Sequence, residues 1–219
     1  MLRELAPLLV LSAATLGGGV ACAGDRIDPS THTPQTLEAP PVLEGQAVAV
    51  FAGGCFWCME KPFDKAPGVI STTSGYTGGK IAGPSYKQVS MHQTEHYEAL
   101  RVVYDPGYTS YEKLLEVFWH NVDPTQSNGQ FCDKGDQYRT GIFTSDPDEV
   151  KLAEASRRKA QSELGQEIVT EILPGAPFWV AEEYHQDFYL KNPEHYTRYR
   201  TGCGRDRRLA ELWGDKAGH

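Results

Sequence analysis

Residues 45–214 are a succession of short apolar runs and amphipathic stretches, and the period of each assigns an element. Residues 47–52 (AVAVFA) are apolar without a break and stop at Gly53-Gly54, the pattern of a buried strand. From residue 55 to 65, Phe56, Met59 and Phe63 recur at helical spacing, and Ala66 continues the stripe. Pro62 inside that stripe predicts a kinked or confined helix. Residues 69–76 are β-branched and turn-bounded, a second strand. Residues 98–104 (EALRVVY) alternate, a third, stopped by Asp105-Pro106-Gly107.

The second half carries further helices and strands, with no internal repeat visible. Residues 111–121 make an amphipathic helix with Leu114, Leu115, Phe118 and Trp119 inward and Ser110 opening it. Residues 140–144 read as a fourth strand. A long helix follows to about residue 164, capped by Asp146 with Pro147 at its first position. Residues 168–173 form another strand, and 181–189 and 206–213 are short helical pieces; the stretches around Trp119 and Trp179 read as core. Two polar segments, 77–97 and 123–139, are long enough to be functional loops. The order strand, helix, strand, strand, helix, strand predicts an α+β fold. Its core is a two-layer α/β sandwich of ferredoxin-like (split βαβ) plan, with long active-site loops and an extra C-terminal segment.

The chemistry concentrates where the first strand hands over to the first helix, at Gly53-Gly54-Cys55-Phe56-Trp57-Cys58-Met59-Glu60. A cysteine at a helix N-terminus meets free amides and a positive dipole end, which favour its thiolate. Phe56 and Trp57 beside it supply an apolar clamp. The Cys55-x-x-Cys58 spacing also fits half a zinc site, a thioredoxin-like redox pair or a structural disulfide. Zinc requires a second pair, and Cys132 and Cys203 stand apart in the sequence, so a nucleophilic or redox role is better supported.

Composition narrows the class and the address. The 219 residues suffice for one domain plus tails, with 40% hydrophobic residues for its core. A net charge of −8 argues against nucleic acid as a partner. Arg3 precedes an apolar, small-residue run at 8–20, so residues 1–23 read as a secretory signal. The end fits either cleavage at Ala21-Cys22-Ala23 or a lipoprotein box with Cys22 lipidated. The expected location is therefore exported, periplasmic or membrane-anchored through a lipid. Residues 24–44, with Pro29, Pro34, Pro40 and Pro41 among polar residues, read as a flexible tether. Residues 45–219 are then the catalytic domain. Four cysteines remain in it, and an oxidising compartment could pair them as structural disulfides.

A set of collinear motifs resembles a family. Gly54-Cys55-Phe56-Trp57, Gly75-Tyr76-Thr77-Gly78-Gly79, Pro84-Ser85-Tyr86, His96-Tyr97-Glu98-Ala99, Asp123-Pro124-Thr125-Gln126, 133–139 (DKGDQYR) and Tyr184-His185-Gln186 are similar to peptide methionine sulfoxide reductase of the A type. The resemblance implies a thiol-dependent reductase acting on methionine S-sulfoxide, free or in proteins. It needs no cofactor or metal, is reduced by a thioredoxin-type partner, and is expected as a monomer. It implies Cys55 as nucleophile, left as a sulfenic acid, and Glu98 as proton donor. Tyr86 and Tyr138 would hold the sulfoxide oxygen, Phe56 and Trp57 the methyl group, and Asp133 the family's active-site aspartate.

Taken singly, Tyr86, Tyr138, Asp133 and Glu98 read as packing or solvated residues, and the motifs overturn that. His185 reads as a structural histidine. Cys58 stands where many members carry glycine, and the ending 201–206 (TGCGRD) departs from the family's two-cysteine tail. Cys203 is the expected resolving cysteine, on a swinging polar segment 194–202, with Cys58 the alternative and Cys132 a shuttle or bystander. The other readings are a thioredoxin-like thiol–disulfide oxidoreductase using Cys55 and Cys58, and a zinc module.

Overall fold

The computed structural model describes residues 33–218. The signal expected at 1–23 and the start of the expected tether lie outside the described residues. The first half carries β1 (Ala47–Gly53), α1 (Phe56–Asp64), β2 (Val69–Thr77), α2 (Tyr86–Ser90), β3 (Tyr97–Tyr104) and α3 (Tyr111–Trp119). It is followed by β4 (Gly129–Gln130), β5 (Asp133–Lys134), β6 (Thr140–Phe143), α4 (Pro147–Leu164), β7 (Glu171–Leu173) and β8 (Trp179–Val180). Helices α5 (Phe188–Lys191), α6 (Pro193–Gly202) and α7 (Arg205–Trp213) close the chain. One sheet runs β7-β6-β1-β3-β2-β8, and β4-β5 form a separate hairpin. Its central four strands, β6-β1-β3-β2, are antiparallel in the split βαβ order, while β7 is added parallel to β6.

Alternation along the strands splits the sheet into two faces. Ala49 and Phe51 of β1 and Leu100 and Val102 of β3 face the helices, where they bury against Phe63, Leu114, Leu115 and Phe118. The Phe51 ring stacks on Phe63 at 5.2 Å and on Phe118 at 5.3 Å. Burying each such side chain contributes roughly 1.5–3 kcal/mol, so this cluster holds the layers together. The opposite face carries a smaller cluster of Ala52, Tyr97, Ala99, Phe143 and Phe178.

The helix starts follow the expected caps. Ser110 accepts from Lys113 N–H, and Asp146 accepts from the amides of Asp148 and Glu149. Pro62 stays inside α1, where it leaves the Cys58 carbonyl without its N–H donor four residues on. The Arg200 guanidinium supplies that donor from α6, at 3.4 Å. A local defect in one helix is thus satisfied by a side chain 142 residues further along, and the C-terminal segment is docked by it.

Four expectations are corrected. The polar segment 194–202 is helical, part of α6, because Pro193 at its first turn and Arg200 packed onto α1 fix it. Residues 168–170 leave the strand ladder, Val169 N–H donating to the Pro124 carbonyl instead. The helix expected at 181–189 is broken into a 3₁₀ turn (Glu183–His185) and α5 around Asp187 at φ 53°. The end of the expected tether is docked, with Gln35 N–H on the Gly83 carbonyl, Ala39 N–H on the Phe178 carbonyl and Glu38 bridged to Trp179. Among the described residues no helix is long and apolar enough to cross a membrane.

Phe118→Ala removes the ring that α3 stacks on Phe51 and should destabilise the fold by about 3–5 kcal/mol. Urea unfolding followed by circular dichroism measures it; a loss below about 1 kcal/mol would show that this stack is not where the layers are held.

Candidate active site

Gly54, at φ +80°, turns β1 into α1, and a Cβ there would lie 2.5 Å from the Gln130 Cβ, so only glycine fits. The turn places Cys55 at the N-cap of α1, 5% exposed. Its neighbouring amides are already engaged. Phe56 N–H donates to the Glu98 carboxyl at 3.2 Å, and Cys58 N–H donates to the carbonyl of Cys55 at 3.0 Å. Burial pushes the Cys55 thiol well up, and its hydrogen bond with Cys58 adds to that. Cys58 moves the other way, down to about 7, through the same bond and the charges of Arg205 and Arg200. The negative charge of the pair rests on Cys58, which corrects the expectation of a resting thiolate at Cys55. Burial outweighs a helix dipole whose first amide is already shared with a carboxyl group.

Glu98 enters from β3, paired across to Tyr76, and is 2% exposed. Burial pushes its carboxyl up to about 8 against the opposing bond from Phe56 N–H, with Asp133 and Cys58 adding to the rise. Below that pH it holds a proton. Tyr86 opens α2 behind a capping box of Ser85 and Gln88. Tyr138 ends the 3₁₀ turn Asp136–Tyr138, and its hydroxyl bonds that of Tyr86. Burial raises both phenols, Tyr86 to about 12 and Tyr138 further, so both stay protonated donors close to Glu98 and Cys55.

The apolar wall is built around His185. Its Nδ1 accepts from Trp57 Nε1–H at 3.0 Å, and its ring lies 4.9 Å from Phe56 and 4.5 Å from Tyr86. Burial lowers His185 to about 4, so the imidazole is neutral. Phe56 is fully buried against Tyr76, whereas Trp57 is half-buried and stacks on Phe188 at 3.7 Å. Glu182 fixes the neighbourhood, accepting from the Tyr76 hydroxyl and from Tyr86 N–H.

Asp133 opens β5 on the other side of Cys55. Its carboxylate accepts from the Tyr199 hydroxyl at 2.5 Å, and that hydroxyl also bonds Cys55. Cys132 and Cys203 are joined in a disulfide with Cα atoms 5.0 Å apart, and their sulfurs lie 3.8 and 3.9 Å from the Asp133 oxygens. Cys55 and Cys58 are free and buried. The expected direct partner of Cys55, Cys203, is therefore bonded to Cys132, while Cys58 is the thiol in contact with Cys55.

The model of the family described as peptide methionine sulfoxide reductase matches residues 47–217. The chain belongs to this family. A relative named peptide methionine sulfoxide reductase MsrA from Bacillus pumilus is 52% identical over 80% of this chain and 99% of its own length. MsrA 2 of Caulobacter vibrioides is 45% identical over 94% of this chain and 98% of its own. The solved structure of yeast (Saccharomyces cerevisiae) Mxr1 in reduced form is similar with TM-score 0.65 and 32% identity, over 73% of this chain and 91% of that one. Methionine sulfoxide reductase A of Corynebacterium diphtheriae gives TM-score 0.62 and 32% identity, over 69% and 77%. The chain is thus an oxidoreductase of the A type with a mixed α/β fold.

All the sequence-derived residues of the reductase meet at this one place, Cys55, Glu98, Tyr86, Tyr138, Asp133, Phe56 and Trp57 among them. Tyr199, Arg205 and the pocket-lining role of His185 were missed. Arg205 is 1% exposed, donates to the carbonyls of Gly53 at 3.1 Å and Asn121 at 2.7 Å, and stacks on Phe131. Nothing local marks Arg205 or Tyr199; their positions beside Cys203 are the only signal.

The first thiolate to form on raising the pH should appear at about 7 and belong to Cys58. Ultraviolet thiolate absorbance of the chain, with Cys132 and Cys203 left oxidised, follows it. A titration that survives Cys58→Ser would return the charge to Cys55.

Proposed function

We propose that the reductase restores methionine from its S-sulfoxide, in peptides and proteins or free, by attack of Cys55 on the sulfoxide sulfur. The observation that carries this reading is a buried, protonated Glu98 grouped with the Tyr86–Tyr138 hydroxyl pair around Cys55. A sulfoxide becomes electrophilic as its oxygen gains a proton or strong hydrogen bonds. Glu98 supplies the proton, and the two phenols hold the oxygen while charge develops there. Phe56 and Trp57, steadied by His185, receive the methyl group. Asp133 orients Tyr199 against the nucleophile.

Cys55 attacks as its proton passes along the existing hydrogen bond to the Cys58 thiolate, so Cys58 acts first as base. The new S–S bond displaces the sulfoxide oxygen, protonated by Glu98, as hydroxide; that hydroxide attacks the Cys55 sulfur and breaks the S–S bond, so methionine leaves with its lone pair restored and Cys55 is left as a sulfenic acid. Cys58 then attacks the sulfenic sulfur, forms the Cys55–Cys58 disulfide and releases water. Contact with Cys55 favours Cys58 over Cys203 for this step. A dithiol protein of thioredoxin type closes the cycle. The run at 8–20 behind Arg3 supports export, with or without a lipid on Cys22.

Turnover of S- and R-sulfoxide peptides with a dithiol reductant tests the substrate, and consumption of the R epimer alone would overturn it. Glu98→Gln should lower the rate by ~10²–10⁴-fold. In the wild type the rate falls as pH rises through about 8, because the acid must be protonated and its proton leaves there. That fall should vanish in Glu98→Gln; if it persists, another group is the acid.

A further inference from the structure

Among the described residues, Cys132, Asp133 and Cys203 bring three metal-ligating side chains together, with donor atoms all within 4.8 Å of one another. Cys132 Sγ lies 3.8 Å from one Asp133 oxygen, and Cys203 Sγ lies 3.9 Å from the other. Around a tetrahedral cation with metal–sulfur bonds of about 2.3 Å and metal–oxygen bonds of about 2.0–2.2 Å, a sulfur and an oxygen ligand stand roughly 3.5 Å apart. Both sulfur–oxygen distances are therefore close to what a single ion requires. Only the two sulfurs are too near each other, because a disulfide joins them. Exchange with an external dithiol such as dithiothreitol breaks that bond, leaving two protein thiols and the reagent as its own disulfide. The freed sulfurs must then part to roughly 3.8 Å. Cys203 has the freedom to do so: a Cβ at Gly202 would meet nothing within 4 Å, and Gly204 on its other side sits at φ 68°.

We propose that Cys132, Asp133 and Cys203, once reduced, form a three-donor site for a thiophilic divalent cation of the zinc class, and that disulfide formation closes it. The carboxylate is already oriented as a ligand needs to be, because the Tyr199 hydroxyl donates to it at 2.5 Å. Two thiolates and one carboxylate carry three negative charges, so a divalent ion leaves one. Arg205 and Lys134, whose charges already act on Asp133, offset the remainder. Two sulfur donors select zinc or cadmium over magnesium and calcium, which take oxygen ligands. Cys132 is exposed, which gives the ion a way in and leaves its fourth position to water. On binding, the cation takes the place of the two thiol protons and bonds both sulfurs, and no electron moves. A disulfide has no thiolate to offer, so the oxidised form cannot hold the ion. The site is independent of the sulfoxide chemistry at Cys55.

Zinc uptake, measured against a chromogenic chelator after the dithiol is removed under argon, tests the site. The Cys55→Ser/Cys58→Ser chain keeps only the outer sulfurs. Reduced, it should bind about one zinc ion, and oxidised it should bind none. Adding Asp133→Asn should weaken binding at least about tenfold, and Tyr199→Phe, which frees the carboxylate to turn, by about tenfold. Cobalt in place of zinc should give the visible spectrum of a tetrahedral thiolate complex, and Cys203→Ser should abolish it. No uptake by the folded, reduced double-serine chain overturns the proposal, as does uptake that Asp133→Asn leaves unchanged. Circular dichroism checks the fold of each variant. The wild type supplies a measurement that needs no variant: in the reduced chain, zinc should protect Cys132 and Cys203 from alkylation by iodoacetamide, read by peptide mapping. Equal labelling of both with and without zinc overturns the site on its own.

Discussion

Burial of ionisable groups against one another, at the end of β1, is the constraint on which the site depends. Cys55, Cys58 and Glu98 are each at most 5% exposed, and none is neutralised by a directly paired side chain of opposite charge. In such a place the group that can carry charge most cheaply takes it, and the others stay neutral. Cys58 takes it because two guanidinium groups lie near, and Glu98 keeps its proton because its one strong hydrogen bond does not offset its desolvation. A proton donor and a proton acceptor thus coexist around one nucleophile. The same carboxyl on an exposed strand end would be ionised at neutral pH and of no use as an acid.

The positive side of this balance comes from far along the chain. Arg205 is buried with carbonyls, a thioether and an aromatic ring around it, donating to main-chain oxygens rather than to a carboxylate. Burying an arginine this way is costly unless negative charge lies nearby, and the thiol pair and Asp133 supply it. Arg200 answers a different need, capping the carbonyl that Pro62 leaves open while pairing with Asp206. The C-terminal helices are therefore part of the site's electrostatics as well as its cover.

An enclosed thiol pair is well protected but hard for a protein reductant to reach. The exposed Cys132 lies at the rim, next to the aspartate that touches the interior through Tyr199. One carboxylate and one phenol, Asp133 and Tyr199, stand between the buried thiol pair and that rim.

Much of this was legible in the residues. The apolar periods gave the strands and helices of the core in their order, because burying a stripe or a face imposes its period on any sequence that does it. The motifs named Cys55, Glu98, Tyr86, Tyr138, Asp133, Phe56 and Trp57, and the fold brings these together. What periodicity could not carry was everything set by contacts distant in sequence. The helical state of α6 depends on Arg200 meeting Cys58, and the docking of residues 35–39 on Gly83 and Phe178 depends on a sheet edge no local pattern announces. The Cys132–Cys203 pairing required two loops to be brought within 5.0 Å. Most of all, a local rule placed the thiolate on Cys55 at a helix end, and burial with two remote arginines moved it to Cys58. Charge in a protein interior is decided by desolvation and by neighbours in space, and only tertiary structure specifies those.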